Sequence, residues 1–254
     1  MSSARTCRAI AAAGLLALVA ACSGLGRRAA KPPVLDPVLV QRGGHLFLSP
    51  SLSGHGERSC ASCHPGGGSN GFVYLEGRSV PVGTPGARKV PRLFGLWETA
   101  PYLWDGSAPD LEAALDRMLR VDMRGGTLEA SDRRALLAYL SSLRRYDRGR
   151  ITDDGAPAEP NTLRQRRGFE LFHRRGCDRC HTPPSFASPR AADIGTGPWN
   201  PPTLRGLLSP GAAPFGHDGR WPTLEEAVRA HGRRADRPLD DRELEALMEY
   251  LKLL

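Results

Sequence analysis

Apolar residues recur at helical spacing near the C-terminus of the chain. They stand three, four or seven positions apart and so share one helix face: Leu244, Leu247, Met248, Leu251 and Leu254. Asp240 and Glu243 precede this run with the spacing of a capping box, and Thr223 and Glu226 repeat that spacing before residues 224–228. The pattern therefore predicts two consecutive amphipathic helices at the end of the chain.

The two halves of the chain are the same sequence unit written twice. Segments 42–43, 91–96, 100–106 and 111–115 match segments 167–168, 202–207, 213–219 and 224–228, and four apolar positions of residues 136–143 match those of residues 247–254. From segment 91–96 onward the offset stays between 111 and 113 residues, so the register is nearly unbroken. The sequence of each unit predicts one helix, then an irregular stretch, then two helices. It contains no convincing strand. The fold class is therefore all-α, as two tandem domains related by internal duplication.

Composition marks the ends of these domains. Residues 145–162 are polar and rich in glycine and proline, which favours a domain boundary there. We expect an N-terminal domain at 38–150, a linker at 151–161 and a C-terminal domain at 162–254. Residues 65–91 are rich in glycine and are predicted to be loop, and the small, basic and proline-rich stretch 23–37 is typical of a flexible tether.

Residues 1–22 have the pattern of an export signal. Arg5 and Arg8 precede an apolar run at 9–20, and Val19-Ala20-Ala21-Cys22 resembles a bacterial lipobox, in which the cysteine is acylated and becomes the new N-terminus. An ordinary secretory signal ending at small residues is the alternative. Cys7 would be removed with the signal in either case. The expected location is the periplasmic side of the envelope, with a lipid on Cys22 as the membrane anchor.

Four of the six cysteines occur in a motif that each unit contains once. The motifs are Cys60-Ala61-Ser62-Cys63-His64 and Cys177-Asp178-Arg179-Cys180-His181. In Cys-x-x-Cys-His the two thiols attach a haem covalently and the histidine binds its iron, so the sequence predicts two c-type haems. A thioredoxin-like pair or half a zinc site also uses Cys-x-x-Cys, but neither explains a histidine directly after both second cysteines.

Charge adds little to this interpretation. The formal net charge is +8, yet the basic residues are scattered along the chain, which disfavours a nucleic-acid interface. A basic rim that docks an acidic redox partner, or a solvated surface, fits the pattern better. Aromatic residues make up only 6% of the chain, so a buried porphyrin in each unit would supply much of the apolar core.

Together these segments resemble the bacterial di-haem cytochrome c peroxidases and their relatives, including the di-haem enzyme that matures tryptophan tryptophylquinone. The more specific matches are Trp104-Asp105-Gly106 and residues 216–228, and the resemblance covers nearly all of residues 40–254. It implies that one haem receives electrons from a donor protein and passes them to the other, which reduces hydrogen peroxide. It leaves open whether calcium lies between the domains.

The resemblance also indicates a catalytic carboxylate. The chain departs from the family pattern, however, in the loop after the first motif. It places the acidic residue used for peroxide chemistry at Glu112, although Glu225 is the equivalent in the other unit and the helix dipole alone favours glutamate there. Efficient peroxidases of the family carry a histidine in the loop after the first motif, whereas residues 65–103 contain none. A di-haem electron carrier with both irons six-coordinate is therefore the alternative function.

The second axial ligand of each iron decides between these functions. Relatives place a ligand three residues after the Leu-Glu-x-Ala-Val run, at His231 in the second unit and, by the repeat, at Met118 in the first. Methionine on a helix face is more often a core residue, but a thioether and an imidazole at one aligned position share the ability to bind haem iron. Met123 is the substitute for Met118, and His217 competes with His231.

The proposed anchor can be tested by Cys22→Ser. The tether makes no expected haem contact, so this variant should move from the membrane fraction to the soluble periplasmic fraction with its haem content unchanged. Fractionation followed by haem staining measures both quantities. Cys7→Ser is the matched control and should leave the distribution unchanged. A Cys22→Ser protein that stays in the membrane fraction would show that Cys22 is not lipidated.

Overall fold

The structure is a computed structural model that describes residues 32–144, 149–232 and 237–254. The predicted signal at 1–22, with Cys7 and Cys22, and the tether up to residue 31 lie outside the described residues. Within the described ranges, no helix combines the length and the hydropathy needed to cross a membrane.

Helices dominate the described chain. Its α-helices are α1 (Pro37–Leu48), α2 (Cys60–Cys63), α3 (Leu111–Arg117), α4 (Ala130–Ser142), α5 (Leu163–Arg174), α6 (Leu224–Gly232) and α7 (Asp241–Leu251). Short strands are β1 (Val73–Leu75), β2 (Arg78–Val80), β3 (Arg88–Lys89), β4 (Ala192–Asp193) and β5 (Pro198–Trp199). β1 pairs antiparallel with β2 and β3, and β4 pairs antiparallel with β5. The all-α class is confirmed. The strands lie in segments predicted to be irregular, where two or three residues are too few to show alternation.

The helix starts follow the sequence signals. The Asp240 carboxylate accepts the backbone N–H of Glu243 at 2.8 Å, and the Glu243 side chain caps the N–H of Asp240 in return. Thr223 and Glu226 form the same reciprocal pair at the start of α6. Both predicted capping boxes are therefore present, and they fix where the last two helices begin.

In each of the two repeated units, called modules below, the first helix packs closely against the last. α1 lies on α4 and α5 lies on α7. The contact is close because Gly43 faces the carbonyl oxygen of Ala135 and Gly168 faces that of Ala246, where an added Cβ would collide. These glycines are the matched residues of the repeat. The apolar core of each module lies beside its helix crossing, around Phe47, Leu136 and Leu140 in the first and Phe172, Leu247, Tyr250 and Leu251 in the second.

The start of the predicted linker packs against the second module. Ile151 belongs to the second core cluster, and the Tyr250 hydroxyl donates to the carbonyl of Gly155 at 2.8 Å. Tyr250 itself is fully buried. These contacts continue the second module upstream of α5.

The modules contact one another through reciprocal hydrogen bonds between matched residues. The N–H of Lys89, in the first module, donates to the carbonyl of His217 at 2.8 Å. The N–H of Asn200, in the second, donates to the carbonyl of Trp104 at 2.7 Å. Lys89 matches Asn200 and Trp104 matches His217 in the repeat. The junction is therefore pseudo-symmetric, like an isologous dimer interface within one chain.

The helix crossing can be tested by Gly168→Ala. The new methyl group has no space against the backbone of α7, so we expect the holoprotein to lose about 1–3 kcal/mol of unfolding free energy, as in other overpacked cores. Thermal or denaturant unfolding measures this loss. Gly44→Ala is the matched control, because its Cβ would approach only the Tyr139 ring, at 3.3 Å. Equal stabilities of the two variants would contradict the close crossing.

Candidate haem sites

Each Cys-x-x-Cys-His motif forms one helical turn that ends at the histidine. α2 spans the first motif's cysteines, and the N–H of His64 donates to the carbonyl of Cys60 at 2.8 Å. In the second motif the N–H of His181 donates to the carbonyl of Cys177 at 2.9 Å. A turn of this kind places residues i and i+3 on one side, so both thiols of each motif face the same way.

Both motif histidines are oriented by a backbone carbonyl. His64 Nδ1 lies 3.3 Å from the carbonyl oxygen of Gly68, and His181 Nδ1 lies 3.1 Å from that of Phe186. A carbonyl oxygen can only accept, so the proton is on Nδ1 and the lone pair is on Nε2. This is the tautomer and the support that a metal-binding histidine requires.

The protonation states also fit haem. Burial lowers the pKa of His64 and of His181 to about 4, so both imidazoles are neutral near pH 7. Burial raises the pKa of Cys60 and of Cys177 to about 11, so these thiols lack the lowered pKa that is typical of a reactive redox pair. Among the described residues, no group of three or more His, Cys, Asp or Glu could hold a metal ion.

These residues would therefore hold haem in both modules. Cys60 with Cys63, and Cys177 with Cys180, are free cysteines available for the thioether bonds. Nε2 of His64 and of His181 would bind the irons.

The structure supports His231 as the second ligand of the second iron. This residue lies on α6, and its Nδ1 is 2.7 Å from the carbonyl oxygen of Ala227, which again leaves Nε2 free to bind a metal. Its charge contributes, after burial, to lowering the pKa of His181. The two imidazoles are therefore close enough for their charges to interact. The ligand role of His231 stays a prediction, with support from this arrangement.

The alternative to His231, His217, belongs to the junction. It is buried, stacks on Trp199 with ring centroids 4.0 Å apart, and places Nε2 3.9 Å from the Asp218 carboxylate. Its contacts therefore tie it to the neighbouring rings rather than to α6.

Met118, the predicted ligand of the first iron, is the first residue of a distorted helical turn. α3 ends at Arg117, and residues Met118–Asp122 form a π-helical turn, a feature that often occurs at functional sites. Met118 is half-buried, whereas its substitute Met123 is a buried core residue with 8% exposure. The ligand role of Met118 stays a prediction, with Met123 as its substitute.

Glu112 lies at the protein surface. Its side chain is 57% exposed, and its carboxylate lies 3.5 Å from the Arg133 guanidinium, which also bonds Asp116 at 2.5 Å. The N-terminal cap of α3 is Asp110, which accepts the N–H of Ala113 at 2.8 Å. Glu112 thus has the environment of a solvated residue in a first helical turn. Its catalytic role stays a prediction.

A different carboxylate, which the sequence reasoning missed, lies near the first motif. Asp122 ends the π-helical turn, and its charge is among the causes that raise the pKa of Cys63, after burial. Burial raises the pKa of Asp122 itself, against the opposing effects of Arg117, the Gly77 N–H and Arg58. The second unit has Ala235 at the aligned position.

Aromatic side chains from both modules meet at the junction. The Trp104 indole N–H donates to the carbonyl of Lys89 at 2.7 Å, and its ring lies edge-on to His217 with centroids 6.4 Å apart. The guanidinium of Arg88 lies 4.3 Å from the centroid of Trp199, which in turn stacks on His217. A continuous set of rings therefore connects the two modules.

Comparison with known proteins places these sites in a family. Residues 37–149 match the family model described as di-haem cytochrome c peroxidase. The chain is similar to the methylamine utilization protein MauG of Methylorubrum extorquens, with 30% identity over 76% of this chain and 68% of that protein. It is also similar to the cytochrome c551 peroxidase of Nitrosomonas europaea, with 24% identity over 85% and 79% of the two chains.

A solved structure has the same fold. A chain of hydrazine synthase from Kuenenia stuttgartiensis superposes with a TM-score of 0.70, covering 88% of this chain and 90% of that chain at 22% identity.

The axial ligands can be tested through the haem potentials. A thioether ligand favours ferrous iron more than a second imidazole does, so the first haem should be reduced before the second. Met118→His should lower only the higher potential, and His231→Met should raise only the lower one. Potentiometric titration followed by haem absorbance measures both. If the ferric protein lacks the methionine-to-iron charge-transfer band and has one high-spin haem at rest, Met118 is a core residue.

Proposed function

Because this chain belongs to the di-haem cytochrome c peroxidase family, we propose that it is an exported enzyme that reduces hydrogen peroxide with electrons from a donor protein. The family is one of oxidoreductases that carry two c-type haems and transfer electrons between them. The export signal and Cys22 support a lipid-anchored protein on the periplasmic side of the envelope.

The observation that carries the proposal is the pair of equivalent histidine sites joined by an aromatic junction. His64 and His181, one in each module, each have Nδ1 within hydrogen-bond distance of a backbone carbonyl. Trp104 and Trp199 lie between the modules and both approach His217. Two sites of the same construction, linked by rings, suit transfer of electrons from one to the other.

The overall reaction requires the protein residues to supply protons. Hydrogen peroxide, two electrons and two protons give two molecules of water, so the site must supply protons to the oxygen that leaves. The haem supplies the redox chemistry when it is bound. We place this role on Asp122, which ends the π-helical turn that begins at Met118 and whose pKa is raised by burial.

Asp122 would act as the proton donor at the first site. Its neighbours Arg117 and Arg58 would stabilise the carboxylate that forms when the proton leaves. The donor protein would dock elsewhere on the surface, where the scattered arginines favour an acidic partner.

The second candidate function is electron transfer without peroxide chemistry. It is favoured by one observation, the aligned pair Met118 and His231, which could close both irons to substrate. Residues 65–103 also contain no histidine to assist peroxide binding. A carrier of this kind would use the same junction and the same donor protein.

The proton donor can be tested by comparing three substitutions. Asp122→Asn should lower peroxide turnover about 100-fold, the usual scale of general acid catalysis, because the amide cannot deliver the proton. Glu112→Gln is the test of the predicted carboxylate, and Glu225→Gln is its matched control in the second module. Steady-state turnover with a reduced cytochrome c as donor gives the rates, and haem absorbance confirms equal loading.

The outcomes separate the candidates. A large loss in Asp122→Asn alone assigns the donor to Asp122, and a large loss in Glu112→Gln alone assigns it to Glu112. If the wild-type protein takes up two haems and exchanges electrons but reduces peroxide no faster than free haem, the protein is a carrier.

A further inference from the structure

Lys89 carries a buried positive charge at the junction of the modules. Only 5% of its surface is exposed, and its ammonium group donates to the carbonyl oxygens of Gly211 at 3.0 Å and Ala212 at 2.8 Å. Within the described residues no carboxylate forms an ion pair with it. The charged side chain that acts most strongly on it is Arg92, of the same sign. Burial of a lone ammonium is costly, which indicates that the position serves a purpose.

Comparison with the other unit of the repeat separates the hydrogen bonds that Lys89 makes from the charge that it carries. Asn200, the residue matched to Lys89, reaches in the opposite direction and donates its amide to the carbonyl of Pro101 at 2.7 Å. Its backbone N–H also mirrors that of Lys89, as described above. Both side chains therefore hold a loop of the other module through carbonyl oxygens. A neutral amide is sufficient for this contact, so the charge of Lys89 is an additional property.

The charge lies beside the segment that orients the histidine of the first haem site. The residue after Lys89, Val90, accepts the hydroxyl of Ser69 at 2.7 Å, and Ser69 directly follows the Gly68 carbonyl that orients His64. The ammonium also binds the carbonyl of Gly211, and a Cβ on Gly211 would lie 1.7 Å from the carbonyl oxygen of Ser69. The loop that Lys89 holds therefore packs directly on the segment that orients His64.

We propose that Lys89 is a built-in cation at the junction, which holds the 211–212 carbonyls and biases the first haem toward its reduced state. This inference rests on the proposed function only in that it assumes two haems that exchange electrons. Reduction lowers the charge of the iron by one, so a nearby positive charge destabilises the ferric form more than the ferrous form. In the second module, Asn200 holds a loop of the other module in the same way, but it carries no charge. The duplicated fold thereby gains a direction for electron flow.

The test uses three variants of the full holoprotein. Lys89→Asn introduces the residue that the repeat has in the second module, Lys89→Gln is a longer neutral donor in case the first variant does not fold, and Lys89→Arg keeps the charge. Burial lowers the pKa of Lys89 to about 7, so the measurement is made at pH 6, where the ammonium is charged. The ferrous-to-ferric ratio of each haem is read by absorbance and paramagnetic resonance at a fixed solution potential.

We expect the neutral variants to lower the ferrous-to-ferric ratio of the first haem about tenfold, which corresponds to ~59 mV for one electron. The second haem should change much less, and Lys89→Arg should stay within about twofold of wild type. Unchanged ratios in the folded neutral variants, or equal shifts of both haems, would overturn this inference and leave the proposed function intact. Two bound haems that exchange no electrons in the wild type would contradict the proposed function instead.

Discussion

Each half of this protein depends on the backbone hydrogen bonds that hold its motif histidine. The bond from Nδ1 to a carbonyl oxygen orients the ring and places a proton on Nδ1, while burial lowers the pKa and keeps the imidazole neutral. The surrounding loops support this contact. The carbonyl of Phe186 also accepts the N–H of Leu204 at 3.2 Å, and the Gly67 carbonyl, next to Gly68, accepts the N–H of Leu93 at 2.8 Å. The long irregular segments are therefore structural parts of the sites.

The helices provide the frame on which those loops are held. Gly43 and Gly168 let the first helix of each module approach the last at backbone distance. A side chain at either position would separate the helices and move the motif that follows the first helix. The same glycine at the same position in both units shows that this close crossing is a property of the repeated unit.

Duplication gives two equal scaffolds, and a few side chains make them different. Lys89 stands where the second unit has Asn200, Asp122 where it has Ala235, and Met118 where it has His231. In the roles proposed above, these differences would change a charge, a proton donor and an axial ligand on one repeated backbone plan. One module would then receive electrons and the other would pass them on, although both have the same fold. The reciprocal bonds at the junction keep this difference at a fixed geometry.

The sequence by itself determined the helices, the two haem motifs, the duplication and the family, because these depend on local periodicity, adjacent residues and register. It also determined both capping boxes, which involve residues three positions apart. Only the tertiary structure revealed the setting of Lys89, which bonds carbonyls 122 and 123 residues away, and of Asp122, which ends the π-helical turn after α3 and whose charge acts on Cys63 of the first motif. It likewise placed Glu112 at the surface, although its position in the motif indicated catalysis. Local patterns fix which residues form an element, whereas burial and charge depend on distant segments that only the folded chain brings together.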